Sequence, residues 1–165
     1  MPDAAPFWDD WFRLTNLLAV IGWVVLAFLP RWRWVFPAIL FGAVGLLCTL
    51  YVVMAAGMLG GWFDPVEIVP ERPQDLLDYS IAGLRWLFMS DGGIVIAWTH
   101  YLAFDLLAGL WIAREADERG VHRVVQLPFL ALTFLSGPFG FLLWLLVRRS
   151  AQLWAQRRQQ RLSDG

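Results

Sequence analysis

"GGIVIAWTHYLAFDLLAGLWIA", Gly92–Ala113, carries one charge, Asp105, in a run long enough to cross a lipid bilayer. Its apolar residues are continuous and not spaced to line a single helix face, so lipid rather than a soluble core is the expected surrounding. The same holds on either side of it. Leu14–Pro30, Trp34–Phe63 and Val124–Val147 are all free of charge. Four such runs predict an all-α integral membrane bundle of four transmembrane helices, over about residues 12–30, 35–60, 92–113 and 124–147.

Composition agrees. Of 165 residues, 59% are hydrophobic and only 16% charged, too few for the polar surface of a soluble domain. The leader is acidic at Asp3, Asp9 and Asp10, and no A-x-A-like site follows the first apolar run. The first helix is therefore read as retained and not as a cleaved signal. One cysteine, Cys48, allows no internal disulfide and no cysteine-built metal site, and reads as a small buried side chain. A net charge of −1 gives no basic field for nucleic acid.

Residues 1–149 read as a single transmembrane domain. After Pro30, the "RWRW" of Arg31–Trp34 reads as an interfacial anchor, with arginines on phosphates and tryptophans at headgroup level. Gly57 and Gly61 have the spacing of a close helix–helix approach, or else end their helix at Gly60–Gly61. Asp64–Pro73, with three prolines, is a loop. Leu77, Ile81, Leu84 and Phe88 then recur at helical spacing, predicting a short amphipathic interfacial helix over about 74–89. Gly137, Pro138 and Gly140 predict a kink or unwound turn inside the last span, at a site covered by protein. Residues 150–165 predict a basic C-terminal helix lying on anionic lipid.

Four spans place both termini on one face, and the arginines then divide. Arg148, Arg149, Arg157, Arg158 and Arg161 fall with the termini, while Arg31, Arg33, Arg114, Arg119 and Arg123 fall opposite. Under that topology the positive-inside rule selects no orientation.

Ionisable groups inside a span usually face the bundle interior and often mark function. At 100° per residue, Trp98, Tyr101, Asp105 and Ile112 share one side of their helix. His100 lies about 140° away, with Phe104, Leu107 and Trp111, and about 7.5 Å from Asp105 along the axis. His100 and Asp105 are therefore no simple pair, but they can flank opposite edges of one pocket. Together they make a proton donor and acceptor set, expected to be catalytic. Asn16, Tyr51, Tyr101 and Thr133, with the aromatic walls of Trp23, Trp98 and Trp111, are the expected substrate-binding residues for an elongated apolar ligand. The plainer reading makes Asp105 and His100 helix cross-links and the aromatics belts and packing.

Other chemistries lack their residues. A two-histidine haem needs His122, which sits in the charged "READERGVHR" segment, Arg114–Arg123. No metalloprotease, C-x-x-C, P-loop or dinucleotide motif is present, and neither Ser90 nor Ser136 has a base nearby in sequence. No cofactor and no metal is expected.

Three blocks, "NLLAVIGWVVLAFLPRWRW" (Asn16–Trp34), "HYLAFDLLAGLWIARE" (His100–Glu115) and "LPFLALTFLSGPFGFLLWLL" (Leu127–Leu146), resemble in order the membrane family of the plant neoxanthin synthase, named for abscisic-acid deficiency. The resemblance implies a small multi-span protein acting on xanthophylls. The plant reaction opens a 5,6-epoxide and forms an allene without net redox change, which requires an acid near the epoxide oxygen and a base near a polyene carbon. Carried onto this chain, it implies Asp105 as acid and His100 as base, or the reverse, with Tyr101 and Asn16 orienting them.

The leading expectation is thus a cofactor-independent acid–base isomerase of an epoxy- or hydroxy-carotenoid, in a bacterial inner membrane. Its alternative is a non-catalytic carotenoid- or lipid-binding subunit, as a homo-oligomer or within a larger membrane complex. A proton-coupled carrier relayed by Asp105 is a third reading, which four spans without an internal repeat support least.

Overall fold

The computed structural model describes residues 4–63, 78 and 80–148, and all its regular elements are helical. Six helices follow in order: α1 Ala4–Phe28, α2 Val35–Leu59, α3 Ile81–Leu87, α4 Asp91–Glu118, α5 Arg123–Leu135 and α6 Gly137–Arg148. The first turns of α2 widen into a π-helical stretch, Ala38–Val44, directly after Pro37. Of the interfacial helix expected over 74–89, α3 is the described part, whereas residues 74–77 and 79 lie outside the described residues. The Asp64–Pro73 loop and the basic helix over 150–165 lie outside them too.

Among the described residues three helices, not four, are long and apolar enough to cross a membrane: Phe7–Phe28 within α1, then α2 and α4. The fourth span expected over 124–147 is instead two short helices broken at Ser136, whose non-helical backbone (φ −158°, ψ 73°) lets the chain reverse. A single uncharged run had concealed a hairpin.

α4 is the spine, packed against α1, α2 and α5. Ser90 starts it by accepting a hydrogen bond from the Gly93 N–H at 3.1 Å. Gly120, at φ +68°, allows the turn after it, a conformation that side chains with a Cβ disfavour. The seam between α1 and α4 is parallel and built on glycines. Trp8 lies over Gly92, Gly22 faces Leu106, and the Trp23 indole covers Gly109 so closely that a Cβ there would overlap it. α2 runs back along both, bringing Ala43 to Gly22 and Met58 to Gly92. Gly57 differs from its expected role: the Phe63 ring folds back over it, and the Gly57 carbonyl accepts from Trp62 and Phe63, so this glycine closes a helix end.

Polar ties lock the far end of α4. Arg31 pairs with Asp117 at 2.9 Å and donates to Gln126 Oε1 at 3.1 Å, and Gln126 in turn donates to Asp117 and to the Val121 carbonyl. Burial lowers the Arg31 pKa from its ordinary value, and Asp117 opposes that shift. Half of the "RWRW" expectation therefore changes. Arg31 is an internal staple, while Trp32 and Trp34 stay exposed, with Arg33 stacked over Trp34 at 4.8 Å.

Glu115 accepts from the Trp144 indole at 2.7 Å, from Arg119 at 2.7 Å and from Arg148 at 2.5 Å, pinning α6 to α4. Replacing Glu115 with alanine leaves the indole N–H of the buried Trp144 without its acceptor and releases both arginines. The expected cost is about 2–3 kcal/mol, read as a lower melting temperature in detergent. Glu115→Gln keeps an acceptor for the indole and should lose about half as much.

Candidate functional site

The site forms where α4 meets the break between α5 and α6. At mid-membrane depth every backbone N–H needs a partner, because lipid supplies none. The break meets that requirement group by group. Ser136 N–H donates to the Leu132 carbonyl at 2.8 Å, and the Ser136 carbonyl accepts from Phe139 at 2.9 Å and Gly140 at 3.3 Å. Pro138 has no N–H to satisfy. That leaves Gly137, which packs against Asp105 Oδ1 so that its N–H faces the carboxyl and the Tyr101 hydroxyl. Asp105 thus caps α6 from a neighbouring helix, at the end where the helix dipole favours negative charge.

Close approach makes this cap work. A Cβ on Gly137 would fall on the Asp105 carboxyl, and one on Gly140 would run into Thr133 and the Leu132 backbone. The glycines of the S-G-P-x-G stretch are therefore fixed by contact with the H-Y-L-A-F-D stretch and with α5. Asp105 itself is buried, 8% exposed, and its Oδ2 has no hydrogen-bond partner among the described residues. The half-buried Tyr101, one turn earlier on the same face, turns its hydroxyl to the same carboxyl.

From Tyr101 a polar and aromatic chain leads to α1. Tyr101 stacks on Trp98 with ring centres 5.3 Å apart, and the Trp98 indole donates to Asn16 Oδ1 at 3.1 Å. Asn16 donates in turn to the Phe12 carbonyl at 2.7 Å. Asn16, Val20, Trp23 and Ala27 share one face of α1, and the last three line an apolar groove of about 360 Å³ against α5. Phe28, Leu130 and Phe134 complete its walls, with Phe134 edge-on to Trp23 at 5.6 Å. Of its walls, Trp23 covers Gly109, one helical turn after Asp105, and Phe134 stands three residues before Gly137 in the sequence.

The structure assembles Asp105, Tyr101, Trp98, Asn16 and Trp23 along one seam. It does not bring His100 to them. The His100 ring is exposed, set against Tyr51 at 5.6 Å and Phe104 at 4.6 Å. Trp111 lies at the charged end, beside Phe141 and beneath Arg148. Thr133 is fully buried, and its hydroxyl donates to the Phe129 carbonyl of its own helix while its backbone meets Gly140. Gly137, Gly109 and Phe134 are the site residues that sequence reasoning did not name as such. The glycine–proline break was the visible signal for the first. Among the described residues, no group of three His, Cys, Asp or Glu side chains could hold a metal ion.

No curated protein and no solved structure matches the chain. The family model described as ABA DEFICIENT 4-like matches residues 10–144, which takes in α2 to α5, most of α1 and of α6, and the Asp105–Gly137 contact. By that match the chain belongs to the ABA DEFICIENT 4-like family of membrane proteins.

Proposed function

We propose that the protein isomerises an oxygenated carotenoid, with Asp105 and Tyr101 as one acid–base unit. Family membership gives a xanthophyll-related function. The observation that carries the chemistry is the buried, unpartnered Oδ2 of Asp105 beside the Tyr101 hydroxyl, one helical turn from the Gly109 that Trp23 of the apolar groove covers. With Oδ1 packed against Gly137, Oδ2 is the atom left to carry a proton. The half-buried Tyr101 hydroxyl is the group that reaches the ligand.

In the proposed reaction the pair gives a proton to an epoxide oxygen as its carbon–oxygen bond opens. It then takes back the proton lost by the neighbouring polyene carbon. Substrate and product share one formula, so no oxidant or reductant enters. The groove holds part of the polyene, and Asn16 and Trp98 fix the position of Tyr101. His100 is outside this unit.

A second reading, pigment binding without chemistry, draws support from the cap itself: holding the Gly137 N–H is a sufficient structural reason for an aspartate here. Pigment profiles separate the two. In cells that accumulate epoxy- and hydroxy-carotenoids, the wild-type chain should yield a new isomer. Asp105→Asn should lower its formation about 100-fold or more, and Tyr101→Phe by at least about tenfold. His100→Ala should retain most of it. Conversion that survives Asp105→Asn sinks the acid role, and pigment that co-purifies unconverted with every variant favours binding alone.

A further inference from the structure

The polarity of the α5–α6 hairpin bears on how the chain sits in its membrane. Gly140 packs on Thr133, and Phe129 meets Trp144 with ring centres 5.3 Å apart, so the two helices run antiparallel. Both of their open ends lie at one end of α4. At the start of α5, Arg123 donates to the Leu29 carbonyl and Gln126 is tied to Asp117. At the end of α6, Trp144 and Arg148 are tied to Glu115. The closed end lies at Asp105, ten residues along α4 from Glu115, which is roughly 15 Å. That depth is half of a hydrocarbon core of about 30 Å.

We infer that α5 and α6 dip into the membrane and leave on the face they entered, so that the chain crosses three times. Its two termini then lie on opposite faces, and most of the arginines fall together. Arg31, Arg33, Arg114, Arg119, Arg123 and Arg148 gather on one face, against Glu115, Asp117 and Glu118. Arg149, Arg157, Arg158 and Arg161 follow Arg148 in the sequence. The other face has Arg13 and Arg85 with Asp9, Asp10, Asp78 and Asp91, and Arg72 falls in the sequence between α2 and α3.

Lysine and arginine bias, not net charge, orients a membrane chain. The arginine face is therefore the one on the side where the chain is made. Its partner is the anionic headgroup layer of that leaflet, with the exposed Trp32 and Trp34 at headgroup level beside Arg33. The break at Ser136 is compatible with this depth because the N–H groups of Ser136, Phe139 and Gly140 are paired, Pro138 has none, and Gly137 faces the Asp105 carboxyl.

Single cysteines in a Cys48→Ala background test both parts. A membrane-impermeant maleimide is applied to sealed cells, then after permeabilisation, to His122→Cys, Ser163→Cys and Asp9→Cys. The first two should label only after permeabilisation, and the third in sealed cells. His122→Cys and Ser163→Cys on opposite sides would mean a fourth crossing and overturn the hairpin. Both labelled in sealed cells would overturn the orientation. Glu118→Cys with Leu162→Cys supplies the same comparison if either member of the first pair fails to accumulate.

Discussion

Gly137→Ala is expected to destabilise the protein by about 2–4 kcal/mol, combining an overpacking cost of about 1–3 kcal/mol with the loss of a helix cap. The reason is local. The added methyl falls on the Asp105 carboxyl, so either the aspartate leaves its place or α6 moves off α4. Both outcomes unpair the Gly137 N–H at a depth where no water replaces the bond. Gly42→Ala is the matched control, because a Cβ there meets nothing within 4 Å and alanine favours helix. Its denaturation midpoint in detergent should stay at or slightly above that of the wild type. A double variant sharpens the test. If the clash is with the carboxyl, Asp105→Ala should recover about 1–2 kcal/mol of the Gly137→Ala loss, a coupling that distant sites do not show. Strict additivity would mean that the alanine acts elsewhere.

The hairpin and its cap also mark the limit of what the amino-acid sequence discloses. The spans of α1, α2 and α4 are legible because length and unbroken apolarity suffice to specify them. So is the divergence of His100 from Asp105, which follows from 100° of rotation per residue. The reversal at Ser136 is not legible. A kinked span and a hairpin have the same apolar run, the same glycines and the same proline, and they differ in the backbone angles at one residue. The partner of Asp105 is hidden for a related reason: it is a backbone N–H on another helix, which no side-chain pattern announces. Arg31 shows the same limit at the surface. Beside tryptophans it has the composition of a lipid anchor, and only the return of α4 and α5 to that end supplies Asp117 and Gln126 as its partners.

Asp105 carries two roles that different substitutions should separate. Asparagine keeps a carbonyl oxygen for the Gly137 N–H and removes the exchangeable proton. Leucine removes both and leaves that N–H unpaired, a loss of about 1–3 kcal/mol for a buried donor. Part of that loss is offset, because leucine also removes the buried Oδ2 that lacks a partner. The expected order of stability is therefore wild type and Asp105→Asn close together, within about 1 kcal/mol, with Asp105→Leu below them. Carotenoid conversion follows a different order, with both variants down by about 100-fold or more. The two readouts together discriminate between roles. If asparagine retains the fold and loses conversion, the proton is what catalysis needs. If asparagine and leucine lose stability alike, the aspartate is held by its charge at the α6 dipole, and chemistry must be sought in Tyr101 alone. If leucine is as stable as the wild type, the Gly137 N–H finds another acceptor, and the close approach of Gly137 to α4 is then set by packing rather than by the cap.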